Sequence, residues 1–320
     1  MPGSRRFDVT IAGDCCLDLV LYGLPDVLPA ERELLAEAMA MRIGGSATIT
    51  AHNLSCLGNS VGFVFMAADD SFGRFCREQL AEARVDTTTA IIRQGGATGV
   101  TVLLQHAEAR HMFTYPGVTD TLRLADIDLD YICRASHFHM ASYYLQRGLT
   151  PEIPELLRQL KARGLTISMD PNDDPENIWN HSILQALEWV DVFMPNEREA
   201  CRVTGEEDLQ AAIEILRRRV PLLVVKRGAA GVSGFAGGSE WQIPAYPMQT
   251  VDAIGAGDSF NAGFIHGYTR GWEVETCLRF GAMTGAWSTS ASGGTDAFFH
   301  RESLERMWSA WSVHENGVIG

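Results

Sequence analysis

Little in this sequence is basic, and nothing in it is both long and apolar. Its 320 residues carry 26 Lys and Arg against 40 Asp and Glu, a formal net charge of -14, with the basic residues scattered. A protein that binds nucleic acid by neutralising phosphates needs a clustered cationic footprint, so no nucleic-acid partner is expected. Spanning a bilayer takes roughly 18 to 20 apolar residues. The longest runs here, such as Val61 to Ala68, are strand length, so no membrane partner is expected either. Met1 to Arg6 lead straight into a strand-like Phe7–Ala12 segment, which leaves no room for a signal-peptide core, and a cytoplasmic location is the expectation. The cysteines are seven (Cys15, Cys16, Cys56, Cys76, Cys133, Cys201 and Cys277), odd in number and dispersed apart from one adjacent pair. That argues for reduced thiols rather than a disulfide framework or zinc site. Internal repeats, low-complexity tracts and long linkers are also missing. Gly13-Asp14-Cys15-Cys16 after the first strand lacks the glycine-rich dinucleotide fingerprint, so a dinucleotide-dependent oxidoreductase is poorly supported.

What is present is enough apolar material, 46% of residues, for a sizeable core. Phe7–Ala12 reads as a strand, Gly45 to Gly58 as a helix with Ala47, Ala51, Leu54 and Gly58 on one face, Val61–Ala67 as a strand, and Asp69 to Ala83 as a helix. This βαβα rhythm implies a parallel sheet covered by helices. The rhythm breaks at Thr98 to Tyr115, where two β-prone runs flank a polar turn at His106 to Arg110, a hairpin pattern. Leu17 to Arg42 is also irregular, and the two stretches are expected to pair as a small β appendage. Alternation then resumes: strand His137–Met140, helix Pro151–Arg163, strands Thr166–Met169 and Val190–Met194, helix Asp208–Arg219, strand Leu222–Lys226, and short strands ending near Ile243. After Gly257 the chain reads as helical. The expectation is one large α/β domain over residues 1–320, with a lid at about 17–42 and 98–115.

The most informative stretch is Val251-Asp252-Ala253-Ile254-Gly255-Ala256-Gly257-Asp258-Ser259-Phe260. Small residues precede an acid at the start of an apolar-periodic helix. A helix start leaves backbone N–H groups unpaired and carries partial positive charge, so an anion can approach there. An acid at the same place can take a proton from a hydroxyl. Together these describe phosphoryl transfer to an alcohol, although a tight turn followed by a capping acid would look the same.

This segment resembles the Asp-x-x-Gly-Ala-Gly-Asp-x-Phe motif of the ribokinase-like (PfkB-type) carbohydrate kinases. Other landmarks of that family follow in order: Gly44-Gly45 before a helix, then Asp69-Asp70-Ser71-Phe72-Gly73; Pro195-Asn196-Glu197-Arg198-Glu199 after a strand; and Val224-Val225-Lys226-Arg227-Gly228-Ala229-Ala230-Gly231. The resemblance implies a three-layer α/β/α fold with a mainly parallel central sheet and a small β lid, working on ATP and Mg²⁺. By the same implication Asp258 is the general base, a role worth roughly 10² to 10⁴ in rate. Gly255, Ala256 and Gly257 form the anion hole. Asn196 and Glu199 place the triphosphate and its Mg²⁺, with Glu199 reaching the metal through water. Their alternative is helix capping. Lys226, Gly228 and Gly231 lie along the nucleotide, although Lys226 at a strand end also suits a solvated position. Asp18, or Asp14 nearby, binds sugar hydroxyls, with a turn-forming acid as its alternative. Gly44 and Gly45 approach the sugar from the other side. Asp252 lies between sugar and phosphate or helps hold a monovalent cation such as K⁺. Lids of this kind exclude water and often make a homodimer.

Departures from the family bear on substrate. An Asn is usual where Ile49 stands, with Asn53 one turn later as its possible replacement. Asp170-Pro171-Asn172-Asp173-Asp174 resembles an Asp-x-Asn-x-Arg pattern, also matched by Trp179, but Asp174 replaces the basic residue. Ala68 stands where a glycine is usual. His111, Phe113, Tyr115, Tyr143 and Tyr144 are candidates to contact substrate or partner, with core packing as the alternative. Three functions follow: a kinase for a small sugar or sugar acid, a nucleoside kinase of the same fold, and a non-catalytic sugar or nucleotide sensor.

Overall fold

Parallel strands align their carboxyl ends on one edge of a sheet, and that edge places the site in this protein. The computed structural model of the chain describes residues 6–106 and 109–317. The first five residues and the expected turn positions 107 and 108 lie outside it. The strands are β1 (Phe7–Ala12), β2 (Cys16–Tyr22), β3 (Ala38–Gly44), β4 (Val61–Val64), β5 (Met66–Ala68), β6 (Ile91–Arg93) and β7 (Gly99–His106), followed by β8 (Ala109–Tyr115), β9 (Ala135–Met140), β10 (Thr166–Met169), β11 (Val192–Phe193), β12 (Leu222–Lys226), β13 (Val232–Ala236) and β14 (Ser239–Ile243). The helices are α1 (Ser46–Cys56), α2 (Ser71–Glu82), α3 (Leu129–Ile132), α4 (Ile153–Ala162), α5 (Ile183–Ala186), α6 (Glu197–Thr204), α7 (Leu209–Leu216), α8 (Ala256–Thr269), α9 (Val274–Ser288), α10 (Asp296–Phe299) and α11 (Arg301–Gly317).

Eight strands form the central sheet in the order β14-β13-β12-β11-β10-β9-β1-β4. From β4 to β12 every pairing is parallel, and β13 and β14 close the far edge as an antiparallel hairpin. Because side chains alternate along a strand, the sheet feeds two cores. Ala12 of β1 joins one cluster with Phe138, Leu156 and Leu160, while Val9 and Ile11 join the other with Leu54, Phe264 and Phe280. The result is three layers, helix–sheet–helix.

A second sheet has the order β3-β2-β7-β8, so the two irregular stretches do pair in space. Residues 23–37 between β2 and β3 form no regular element. Two expected elements change. The strand read at Val61–Ala67 breaks at Phe65, because β5 leaves the central sheet to pair with β6. The strand read at Val190–Met194 shortens to β11, since Asp191 turns its side chain back to accept from the Ile167 N–H and the Lys161 ammonium.

Phe138 sits fully buried at the middle of the central sheet. Phe138→Ala is expected to lower unfolding free energy by about 3–5 kcal/mol, read from the urea midpoint. A loss under about 1 kcal/mol would show that the surrounding layer collapses into the gap.

Candidate active site

Strand ends supply the charged residues. β1 ends two residues before Asp14, β10 ends just before Asp170, β11 leads into Asn196, and Lys226 closes β12. The parallel sheet therefore brings four polar side chains, far apart in sequence, to one edge.

Lys226 does not extend into solvent. Its ammonium pairs with Asp170, whose side chain is fully buried, and it lies 3.5 Å from where a Cβ on Gly257 would stand. Burial works against the Lys226 charge, but Asp170 and Glu199 outweigh it and hold its pKa above the ordinary lysine value. Asp170 also accepts from Asn261 Nδ2 at 2.5 Å. Asn196 and Glu199 form a complete capping box on α6. The Glu199 N–H donates to Asn196 Oδ1 at 2.9 Å, and Asn196 donates its own N–H and Nδ2 to Glu199 at 2.8 and 2.6 Å. Capping was the alternative reading of this pair, and it is present. Burial, then the nearness of Asp170, pushes the Glu199 carboxyl up to about 8 against the pull of Lys226.

Gly255 precedes α8 with φ +68, and a Cβ there would stand 2.6 Å from the Gly294 Cα, so only glycine fits. The Ala256 N–H turns toward the Ala253 carbonyl at 3.4 Å, which leaves Gly257 and Asp258 to open the helix with N–H groups that have no carbonyl one turn before them. Asp258 is buried, with the Ser46 side chain nearby and weakly lowering its proton affinity. Burial first, and Asp170 second, push its carboxyl up to about 7, with Lys226 pulling the other way.

On the opposite wall the Gly44-Gly45 turn has room for backbone alone, because a Cβ on Gly44 would fall 1.9 Å from Asp18 Oδ1. Gly45, the N-cap of α1, has no side chain to cap with. Asp14 does so from the end of β1, accepting from the Ser46 and Ala47 N–H groups at 3.0 and 3.1 Å. Asp14 is thus committed to α1, and Asp18 is the acid left facing the lid side. Burial, then Asp14 and Asp258, push Asp18 up to about 7.

Several expected placements change. Asp252 is occupied by three donors from three segments: Oδ1 accepts from the Ile254 N–H at 2.9 Å, and Oδ2 accepts from the Gly293 N–H at 3.0 Å and the Tyr22 hydroxyl at 3.3 Å. These bonds brace the turn before α8. Asn53 does not stand in for the missing Asn, because its Nδ2 donates to Ser259 Oγ and the Gly294 carbonyl, both at 2.9 Å. Ile49 packs on Gly255 and Gly294. Asp174 accepts from the backbone N–H groups of Glu176, Ile178 and Trp179, so it shapes a loop. Tyr143 and Tyr144 are core residues, whereas His111, Phe113 and Tyr115 are exposed.

A cleft of about 470 Å³ runs from Lys226, Gly228 and Gly231 to Ala256, Gly257 and Phe260, with Lys226 its one charged lining residue. Two motifs separated by about thirty residues thus share one wall. The profile of pfkB family carbohydrate kinases matches residues 7–299. The chain belongs to that family. A fructokinase of Klebsiella pneumoniae is 29% identical over 315 residues, covering 93% of this chain and 98% of that protein. A cytidine kinase of Thermococcus kodakarensis is 30% identical over 277 residues, covering 84% and 90%. The solved structure of a putative ribokinase II from E. coli in complex with ATP and Mg²⁺ shares the fold at a TM-score of 0.81 and 21% identity, covering 95% of this chain and 99% of that one.

Three residues beside the candidate site carry no site motif in the sequence: Asp170, Asn261 and Ser46. Asp170 carried a usable signal, since it follows a predicted strand of a parallel sheet. Asn261 matters only because α8 lies against the end of β10, and Ser46 only because α1 packs beside α8, which no local pattern reveals. Among the described residues no three His, Cys, Asp or Glu side chains gather as a metal cage, and no helix is long and apolar enough to cross a membrane.

The raised carboxyls give pH dependence a sign. An unfolded chain releases these protons near pH 4, at about the ordinary carboxylate values. Folded Asp18 and Asp258 hold theirs to about 7 and Glu199 to about 8. The folded state therefore binds more protons over that window, and this cluster's contribution to stability is lost as pH rises through it. Asp258→Asn is expected to raise Tm at pH 8 and to change it little at pH 5. An unchanged Tm at both would show that the buried charge costs nothing.

Proposed function

We propose that this kinase moves the γ-phosphoryl group of Mg-ATP onto a hydroxyl of a small sugar or sugar acid. The observation that carries the reading is Asp258: a buried carboxyl held near neutrality, one residue past a glycine turn that opens a helix, between the nucleotide cleft and the wall bearing Asp18. Asp258 takes the proton of the acceptor hydroxyl, its oxygen bonds to phosphorus, the bond to the ADP oxygen breaks, and ADP leaves. The N–H groups at the start of α8 and the Lys226 ammonium stabilise charge on the transferred group. Gly228 and Gly231 let the nucleotide lie against backbone.

Oxygen donors suit Mg²⁺, but both Glu199 oxygens already accept from Asn196. Glu199 would hold the metal through water, as befits a cation reluctant to lose its hydration shell, and the metal would neutralise phosphate charge. A monovalent cation at Asp252 is left out of this reading, because that carboxylate already accepts from three donors. A nucleoside acceptor is the second reading, favoured by the cytidine kinase among the relatives and by Ile49 standing where a hydrogen-bonding Asn is usual.

The four-stranded sheet acts as the lid, and its outer face supports a homodimer. Strand register puts Met41, Leu19, Val102 and Phe113 on one rung of that face, and on the next rung Tyr115 stays exposed while Leu17 and Ile43 are buried. Met39, Phe113 and Tyr115 are 64%, 60% and 60% exposed. A patch of this kind is what a partner copy covers.

ADP release from Mg-ATP is expected to require an acceptor from a panel of sugars, sugar acids and nucleosides. It should fall about tenfold per pH unit below pH 7 as Asp258 protonates. Asp258→Asn is expected to cut kcat by roughly 10² to 10⁴ with ATP affinity kept. Wild-type turnover in that variant would remove Asp258 as base, and no ADP release with any acceptor would favour the sensor. For the dimer, Phe113→Glu with Met41→Glu is expected to halve the mass measured by light scattering, and an unchanged mass would rule out this interface.

A further inference from the structure

Strand β2 touches both halves of the site at once. Residues 18, 20 and 22 share one face of it, because side chains alternate along a strand. Asp18 packs on the Gly44 backbone at the acceptor wall. Val20, with Leu103 beside it on β7, packs on Ile254, the residue before Gly255. Tyr22 donates its hydroxyl proton to Asp252 Oδ2 at 3.3 Å and receives a hydrogen bond from the Ser292 hydroxyl. Asp252 in turn binds the Ile254 and Gly293 N–H groups. Gly255 rests on Gly294. A second tie runs from Arg42 of β3 to Asp296, 2.7 Å apart.

We infer that Tyr22 is a positioning residue that couples the four-stranded sheet to the turn at Gly255, so that seating a ligand on one side orders the other. The sheet cannot move Asp18 without moving Val20 and Tyr22 by the same displacement, since all three lie on one strand hydrogen-bonded on both edges. The turn cannot shift without breaking the Asp252 hub. Nucleotide bound at the start of α8 therefore stiffens β2, and by reciprocity an acceptor held by Asp18 stiffens the turn. This rests on the reading of Gly255 to Gly257 as the phosphate cradle.

The test is amide hydrogen exchange on the full chain with Mg-ATP as the only ligand. Wild type is expected to gain protection at residues 253–257 and also along β2. In Tyr22→Phe, which keeps the ring and loses the hydroxyl, the turn should stay protected while the gain on β2 falls by about fivefold or more. Ser292→Ala removes the other partner of the hydroxyl and should uncouple in the same way, which covers poor folding of the first variant. A purely structural role would lower Tm without changing how far protection spreads. Equal β2 protection in wild type and both variants, or a protected turn with no gain on β2 in wild type, overturns the coupling alone. No protection at either place, or at 228–231, overturns the nucleotide reading and the coupling with it.

Discussion

The ion pair between Lys226 and Asp170 is the constraint on which the site depends. One ammonium stands among Asp170, Glu199 and Asp258, all buried at the carboxyl edge of the sheet. Taking carboxyls out of water is costly unless they are neutralised or paired. The ammonium bonds Asp170 and only partly offsets the burial of Glu199 and Asp258, which are left with affinities for protons near or above neutral. A base has to sit near working pH to accept a proton from an alcohol and later release it. The same crowding of acids that costs stability therefore suits Asp258 to the role of base proposed for it.

This arrangement also explains how a chain with a net charge of -14 can handle a polyanion. Formal positive charge at the cleft is limited to Lys226, and the remaining attraction comes from a helix start and from glycine turns that expose backbone N–H groups. Such dipoles are fixed by the fold and need no reorganisation when the phosphoryl group moves. Gly255 and Gly44 serve this end by excluding side chains, one against Gly294 and the other against Asp18. Asn53 and Ile49 hold the turn from behind, which is why the sugar-facing contact expected at that helix is replaced by packing.

The four-stranded sheet joins these parts. Its inner face carries Asp18, Val20 and Tyr22 toward the core, while its outer face leaves Phe113, Tyr115 and Met39 exposed. Sheet register forces this split, because every strand must present one set of side chains to each face.

Much of this was legible in the chain itself. The strands at Phe7–Ala12, Thr166–Met169 and Leu222–Lys226 follow from apolar runs bounded by turns. The turn at Gly255 to Asp258 follows from small residues placed before an apolar helix. These are local patterns, and backbone geometry makes them local. The roles of Asp14, Asp252 and Asp174 were not legible. All three are acids in turns, and only the fold shows that each is used up on backbone N–H groups, Asp14 on those of α1, Asp252 on Ile254 and Gly293, and Asp174 on those of its own loop. Lys226 was equally ambiguous, since a lysine at a strand end reads as solvated until Asp170, 56 residues earlier, is placed beside it. The amino-acid sequence determined which residues can accept a proton or bare a backbone amide. Tertiary structure decided which of the buried carboxyls stay uncommitted, because the pairing and desolvation that set a proton's affinity are properties of neighbours distant in the chain.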